Sequence, residues 1–148
     1  DEHAIPFEVV TPDAMTQADV IITITSSHQP LLMSDQVSLG THLVCMGTDT
    51  KGKQEIDPVL FSVGTCFTDE VAQSVTIGEA QHAIATGLVT EGAIVPIGRV
   101  INKDHAGRTS DDEITIFDGT GVGLQDLALA SVAIRRAIEA GSATTVAF

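Results

Sequence analysis

The sequence predicts an α/β fold: a partial, mostly parallel sheet with flanking helices and a long carboxyl-terminal helix. Three observations carry that prediction. Continuously apolar, β-branched runs recur in the first half, as strands covered on both faces require. Cap-then-proline signals for short helices fall between them. From residue 122 to 139 an apolar helical pattern closes the chain.

Taken in order, a first strand is expected over residues 7–10, Phe-Glu-Val-Val. Residues 11–17 follow as a short crossover helix, with Thr11 placed to cap and Pro12 at the first helical position. Residues 20–25 and 42–46 are the continuously apolar strands of a parallel sheet. Asp57 and Pro58 repeat the cap-then-proline signal and open a second short helix, before a strand over residues 65–68. After residue 70 the pattern turns helical through Val71, Val75, Ile77, Ala80, Ala83 and Ile84, interrupted by Gly78 and closed by Gly87. Residues 92–112 are rich in Gly, Pro, Asn, Lys and Asp and are expected as loop. Residues 113–117 form one more strand. The helix over 122–139 is apolar nearly all round, which predicts burial on more than one side.

Composition bounds the function. A chain of 148 residues is one domain or a large part of one. At 43% hydrophobic and 18% charged it can build a core. Seven basic residues against twenty acidic ones give a net charge of −13, and the first basic residue is Lys51. That balance disfavours phosphate-backbone contact with nucleic acid and docking on an anionic membrane. There is no Trp and no Tyr for stacking on bases. Cys45 and Cys66 sit singly in apolar runs, which predicts buried thiols in a reducing compartment. No apolar stretch reaches the roughly 18 residues of a membrane span. The expectation is a soluble, cytoplasmic protein.

In an open parallel sheet, ligands bind beyond the carboxyl ends of the strands, and the first βα turn usually carries a phosphate-binding glycine loop. The first half of this chain has no such loop, as in a Rossmann domain without its first β-α-β unit. The segment 119–123, Gly-Thr-Gly-Val-Gly, lies between a strand and a helix but fails the G-x-G-x-x-G spacing. It reads either as a tight turn needing positive φ or as a helix start suited to a negative or carbonyl-bearing ligand. Residues 46–55 follow directly on a strand; Asp49 is placed to accept a proton, and Lys53, four residues on, to hold a carbonyl or carboxylate. A solvated loop with Asp49 capping a turn is the competing reading. Thr23, Thr25, Ser26 and Ser27 offer small hydroxyls at another strand end, with ordinary turn chemistry as the alternative and His28 a surface residue. Asp111, Asp112 and Glu113 point alternately and do not converge on a metal; turn capping with Arg108 is expected. No zinc spacing or nucleophile elbow is present.

Three stretches together resemble the ornithine cyclodeaminase/mu-crystallin family: residues 18–27, residues 47–57 from Gly-Thr-Asp to Gly-Lys-Gln-Glu-Ile-Asp, and residues 107–121, Gly-Arg-Thr-Ser-Asp-Asp-Glu-Ile-Thr-Ile-Phe-Asp-Gly-Thr-Gly. The resemblance runs from about residue 7 to about residue 140 and covers the carboxyl-terminal part of a family member. It implies that about 7–120 belong to an NAD(P)-binding Rossmann domain, and that the helix over 122–139 packs toward a substrate and dimerisation domain absent from this chain. It implies NAD or NADP as cofactor, an α-amino or cyclic α-imino acid as substrate, and a homo-oligomer. Ornithine deamination to proline, reduction of ketimines such as pyrroline-2-carboxylate, and alanine dehydrogenase chemistry all occur in the family. By match to the motifs, Asp49 is the acid/base residue beside the substrate nitrogen. Gly47 and Lys53 lie against the nicotinamide end, Asp118, Gly119 and Thr120 touch its carboxamide, and Thr25 and Ser26 flank the cofactor. Gly119 stands where ornithine cyclodeaminases tend to carry Ser, so the motif fits the imine-reductase branch at least as well. A non-catalytic remnant that binds a partner is the alternative from another class, and the isolated chain is expected to be inactive.

Overall fold

The structure, a computed structural model, describes residues 6–146. Residues 1–5, His3 among them, and 147–148 lie outside the described residues. Seven strands fall in chain order as β1 (Val20–Thr23), β2 (His28–Leu32), β3 (His42–Cys45), β4 (Gln54–Ile56), β5 (Thr65–Thr68), β6 (Val95–Pro96) and β7 (Thr115–Asp118). Five of them make a sheet in the order β1-β3-β7-β5-β6, every pair parallel. β2 and β4 pair separately, also in parallel. The helices are α1 (Leu60–Val63), α2 (Val71–Ser74), α3 (Ala80–Ala85), α4 (Ile97–Ile101) and α5 (Gly123–Glu139).

Register aligns Ile21, Leu43, Ile116 and Cys66 in one row across the sheet. These side chains share a core with Leu32 and Ile56 of the small sheet, Leu60 and Phe61 of α1, and Ala80 and Ala83 of α3. The small sheet therefore packs under the large one and is held there by apolar burial. Asp57 starts the turn into α1 as the sequence predicts: its Oδ1 accepts from the Val59 amide at 3.0 Å and its carbonyl from Leu60 N at 3.0 Å. Cys45 and Cys66 are free and buried, and burial pushes both thiols well up, as expected of structural cysteines.

The structure corrects several expectations. Residues 7–10 are not a strand; Phe7 and Val9 are each 89% exposed, because an extended segment with no neighbouring strand has no ladder to join. The short helix expected over 11–17 is present as a 3₁₀ helix, Pro12–Gln17, but Thr11 precedes it without the expected side-chain cap. β1 is covered on one face only: Ile21 and Thr23 are buried while Val20 and Ile22 are exposed. The loop expected over 92–112 contains β6 and α4; Pro96 sits in an edge strand, where its missing N–H costs nothing, and then starts the helix. α5 exists, one residue shorter at its start than predicted, but buries no residue, and Leu124, Leu127, Leu129, Ile134 and Ile138 are all exposed. Its all-round apolarity finds no cover among the described residues.

Candidate functional site

Four adjacent strands of the large sheet, β1, β3, β7 and β5, end at one level, where Thr23, Cys45, Asp118 and Thr68 form a row. Parallel strands aim all their carboxyl ends the same way, so the loops leaving β1, β3, β7 and β5 gather there. Backbone bonds stitch these loops together: Met46 N donates to the Thr23 carbonyl at 2.8 Å, and Gly119 N to the Cys45 carbonyl at 2.9 Å.

Four carboxyl groups organise this end of the molecule. Glu55, wholly buried on β4, receives Thr25 N at 2.5 Å and Thr25 Oγ1 at 2.8 Å on Oε1, and Gly47 N at 2.9 Å and Thr23 Oγ1 at 2.8 Å on Oε2. It ties the end of β1 to the end of β3. Glu79, just before α3, takes Glu55 N and Ile56 N on Oε1, each at 2.8 Å, and Thr48 Oγ1 on Oε2. Asp118, at the end of β7, takes Ser74 Oγ at 2.5 Å, Glu79 N at 3.1 Å and Ala80 N at 3.2 Å, so it holds the first turn of α3. Asp69, after β5, receives Thr120 N at 3.0 Å, Thr120 Oγ1 at 2.8 Å and Gly121 N at 2.9 Å. The anion in the glycine turn before α5 is thus the protein's own; burial works against ionisation of Asp69, but these bonds outweigh it and hold its pKa down. Gly121 has φ +76, so the turn does need a left-handed residue.

The loop over residues 47–54 carries the two candidate reactive side chains. Asp49 is exposed, and its Oδ1 accepts from Lys53 Nζ at 2.7 Å. The same ammonium reaches the Gly47 carbonyl at 3.3 Å. The Lys53 bond, helped by Thr50, keeps the Asp49 carboxyl below the usual carboxylate range. Gly47 has no room for a side chain, since a Cβ there would overlap Thr25 and come within 2.5 Å of Glu55 Oε1. At Gly119 a Cβ would run into the Met46 thioether.

Of the residues singled out from sequence, Thr25, Ser26, Gly47, Asp49, Lys53, Gly119 and Thr120 all lie on the loops at this end. Thr25 and Ser26 are exposed, and Gly47, Gly119 and Thr120 are buried. Asp118 is there too, with its side chain wholly buried and bonded to Ser74 and to the first turn of α3. His28 lies on the surface, with Nδ1 3.1 Å from the Gly52 carbonyl. Arg108 does cap the acidic turn, donating to the Glu113 carbonyl at 2.6 Å. The sequence reading missed Glu55, Glu79 and Asp69 as organising groups; Glu55 lies within β4, Asp69 just after β5 and Glu79 just before α3, and no local pattern marks them.

Burial pushes Glu79 up to about 7, against the pull of bonds from Ile56, Thr48 and Glu55. It pushes Asp118 up to about 6, against bonds from Ser74, Glu79 and Ala80. Both folded values lie above the ordinary ones, so the folded chain binds these protons more tightly than the unfolded chain. Their contribution to stability is fully present below the ordinary carboxylate pKa and is lost as pH rises through about 6 to 7. In thermal melts from about pH 5 to about pH 8, the advantage of the wild type over Glu79→Gln is expected to shrink as pH rises, since the amide does not titrate. Melting curves that shift in parallel at every pH would mean that Glu79 does not titrate in this window.

These loops on a parallel sheet define the class: a Rossmann-like α/β chain whose strand-end loops gather on one side of the sheet. The family model for the ornithine cyclodeaminase/mu-crystallin family matches residues 4–141, and the chain belongs to that family. It is 55% identical over 98% of its length to an iminosuccinate reductase of Paracoccus denitrificans, and covers 45% of that protein. An alanine dehydrogenase of Archaeoglobus fulgidus is 33% identical over 100% of this chain and 46% of its own. The crystal structure of the Paracoccus reductase in complex with NAD+ superposes with a TM-score of 0.90, at 54% identity, over 97% of this chain and 45% of that one. An archaeal alanine dehydrogenase dimer with bound NAD superposes at 0.87, at 33% identity, over 95% of this chain and 44% of that one. The chain thus spans less than half the length of these relatives. No helix among the described residues is long and apolar enough to cross a membrane.

Proposed function

We propose that this chain is the cofactor-domain portion of an NAD-dependent enzyme that interconverts an α-imino and an α-amino acid, with an imino dicarboxylate of the iminosuccinate kind as substrate. The observation that carries the reading is the exposed Asp49 carboxylate, paired with Lys53 at the end of the central strand β3, between the exposed Thr25 and Ser26 after β1 and the glycine turn after β7. The identity to an iminosuccinate reductase supports the substrate, and the NAD complexes of two similar structures support the cofactor. Charge agrees: two of the seven basic residues, Lys51 and Lys53, fall in this one loop of an otherwise acidic chain, where an anionic substrate needs them.

The residues present fit the nicotinamide half of the dinucleotide. Ser26 offers an exposed hydroxyl on one side of β3, beside Thr25, whose own hydroxyl donates to Glu55, and the backbone of residues 119–121 lies on the other. Lys53 and Gly47 lie between them. No G-x-G-x-x-G loop for the diphosphate occurs in the sequence. When bound, NAD(H) supplies or takes the hydride at the substrate carbon. Asp49, ionised at neutral pH by its ion pair, holds the protonated imine nitrogen and stabilises its positive charge until the carbon is reduced. In the oxidative direction the same carboxylate takes the ammonium proton that must leave the nitrogen. Lys53 keeps that carboxylate ionised and aimed.

The full-length protein, supplied with NADH and in turn with iminosuccinate, the imine of pyruvate and pyrroline-2-carboxylate, is expected to oxidise NADH fastest with iminosuccinate. Preference for another imine would move the substrate reading within the class, and no oxidation with any of them would overturn it. The exposed apolar side chains of α5 are proposed as the seam toward the rest of the protein and a second subunit. The isolated chain should therefore self-associate in sedimentation, and Leu127→Glu with Ile134→Glu should return it to monomer. A monomeric wild-type chain would sink that assignment.

A further inference from the structure

The loop that bears Asp49 and Lys53 closes on itself through Lys53 N, which donates to the Thr50 carbonyl at 3.2 Å, and touches β2 through His28 Nδ1, 3.1 Å from the Gly52 carbonyl, but most of its anchors lie elsewhere. Gly52 has φ +87, and Asp49 and Lys51 are exposed. Those anchors come from the start of α3, three residues within a span of four. Glu79 grips the two ends of the loop through Thr48 Oγ1 and through Glu55 N and Ile56 N. Gln81 grips the middle: its Oε1 accepts from Gly52 N at 2.8 Å, while its Nε2 donates to the Gly78 carbonyl at 2.9 Å, which anchors the amide to its own helix. His82 takes the next carbonyl, with Nε2 2.8 Å from the backbone oxygen of Lys53. Nε2 must carry the hydrogen there, because a carbonyl only accepts.

The position of the Lys53 backbone sets where its ammonium falls, and that ammonium is 2.7 Å from Asp49. Resting on the function proposed above, we infer that His82 and Gln81 are positioning residues of the reaction, which act through the Lys53 backbone to keep the Lys53–Asp49 pair aimed at the substrate nitrogen. Neither side chain bonds to Asp49 or to the Lys53 ammonium. Their effect is carried by two backbone groups of one loop. Misplacement of a reacting group by about 1 Å is enough to cost about a hundredfold in rate.

The experiment uses the full-length protein with NADH and the imine it reduces best, and compares His82→Leu, His82→Gln and Gln81→Glu with wild type. The glutamine at 82 keeps an N–H donor for the Lys53 carbonyl. The glutamate at 81 keeps the acceptor for Gly52 N and loses the Nε2 donor to the Gly78 carbonyl and, at 3.4 Å, to the Lys53 carbonyl. His82→Leu is expected to lower kcat about 10–100-fold with a smaller loss of NADH affinity, Gln81→Glu to lower it less, and His82→Gln to restore most of the rate. Loosening Lys53 also releases Asp49 toward the ordinary carboxylate range, so the acid limb of kcat/KM must move to higher pH in His82→Leu. Lys53 and Thr50 bond to the Asp49 carboxylate, and Glu79 lies behind Thr48; all three are the same in every variant. A rate near wild type, or a slow variant whose acid limb has not moved and which glutamine does not rescue, overturns the inference. Amide exchange at Gly52 and Lys53, read without substrate, separates this from failure of the functional reading. Should Asp49→Asn prove as fast as wild type, that reading falls. The clamp is then decided on exchange alone: faster in His82→Leu and restored in His82→Gln keeps it, unchanged exchange overturns it.

Discussion

Asp49→Asn in the full-length protein is expected to reduce kcat by about 10²–10⁴ while the affinity for NADH changes little. The asparagine keeps the size of the side chain, and Asp49 is exposed, so folding is not at stake. What is lost is the negative charge that stabilises a protonated imine nitrogen, and with it the reason for the Lys53 ammonium to stay at 2.7 Å. Cofactor contacts are assigned to the groups after β1, the backbone after β7, Gly47 and Lys53, and of these only Lys53 bonds to Asp49. Steady-state rates with NADH titrations decide the matter. A rate within a few-fold of wild type would remove Asp49 from the chemistry, and a large loss of NADH affinity would place it at the cofactor instead.

The elements that declared themselves in the sequence are those whose signal is local. β3 and β5 are runs of apolar and β-branched residues, and α1 follows an Asp-Pro cap whose hydrogen bonds lie within three residues. The small sheet did not declare itself: β2 contains Gln29 and Pro30, β4 is three residues long, and their pairing joins positions more than twenty residues apart. Site residues divide the same way. Asp49 and Lys53 were legible because a helical-spaced acid and base on a strand-end loop is a short-range pattern. Glu55, Glu79 and Asp69 read as ordinary loop carboxylates, since nothing local tells a buried acid from a solvated one. Their donors come from residues up to 52 positions away. Asp118 was legible as a motif position, while its bonds to the first turn of α3, made across nearly forty residues of chain, were not. The apolar stripe of α5 was legible as well; among the described residues nothing covers it.

Glutamine should be tolerated at position 79 and rejected at position 55, although both are buried carboxyls on three or more hydrogen bonds. At Glu79 both backbone donors meet Oε1, and Oε2 meets the Thr48 hydroxyl, which can turn and accept from an amide. Each oxygen of Glu55, by contrast, accepts a backbone N–H, from Thr25 on one side and Gly47 on the other. Whichever way the new amide of Glu55→Gln is turned, its NH₂ faces a backbone donor that cannot reverse. One strand end or the other is left with an unsatisfied N–H in a wholly buried site. Glu55→Gln is therefore expected to cost roughly 3–5 kcal/mol in denaturant unfolding, nearly as much as Glu55→Ala, with backbone and hydroxyl donors both stranded. Glu79→Gln at acid pH is expected to cost about 1 kcal/mol or less, since the site already favours the neutral acid. The loss at 55 also reaches the site, because Thr25 and Gly47 are the groups it holds. Weaker NADH binding should accompany the lower stability of Glu55→Gln. Equal stability of the two glutamine variants would refute this account of how the ends of β1 and β3 are joined.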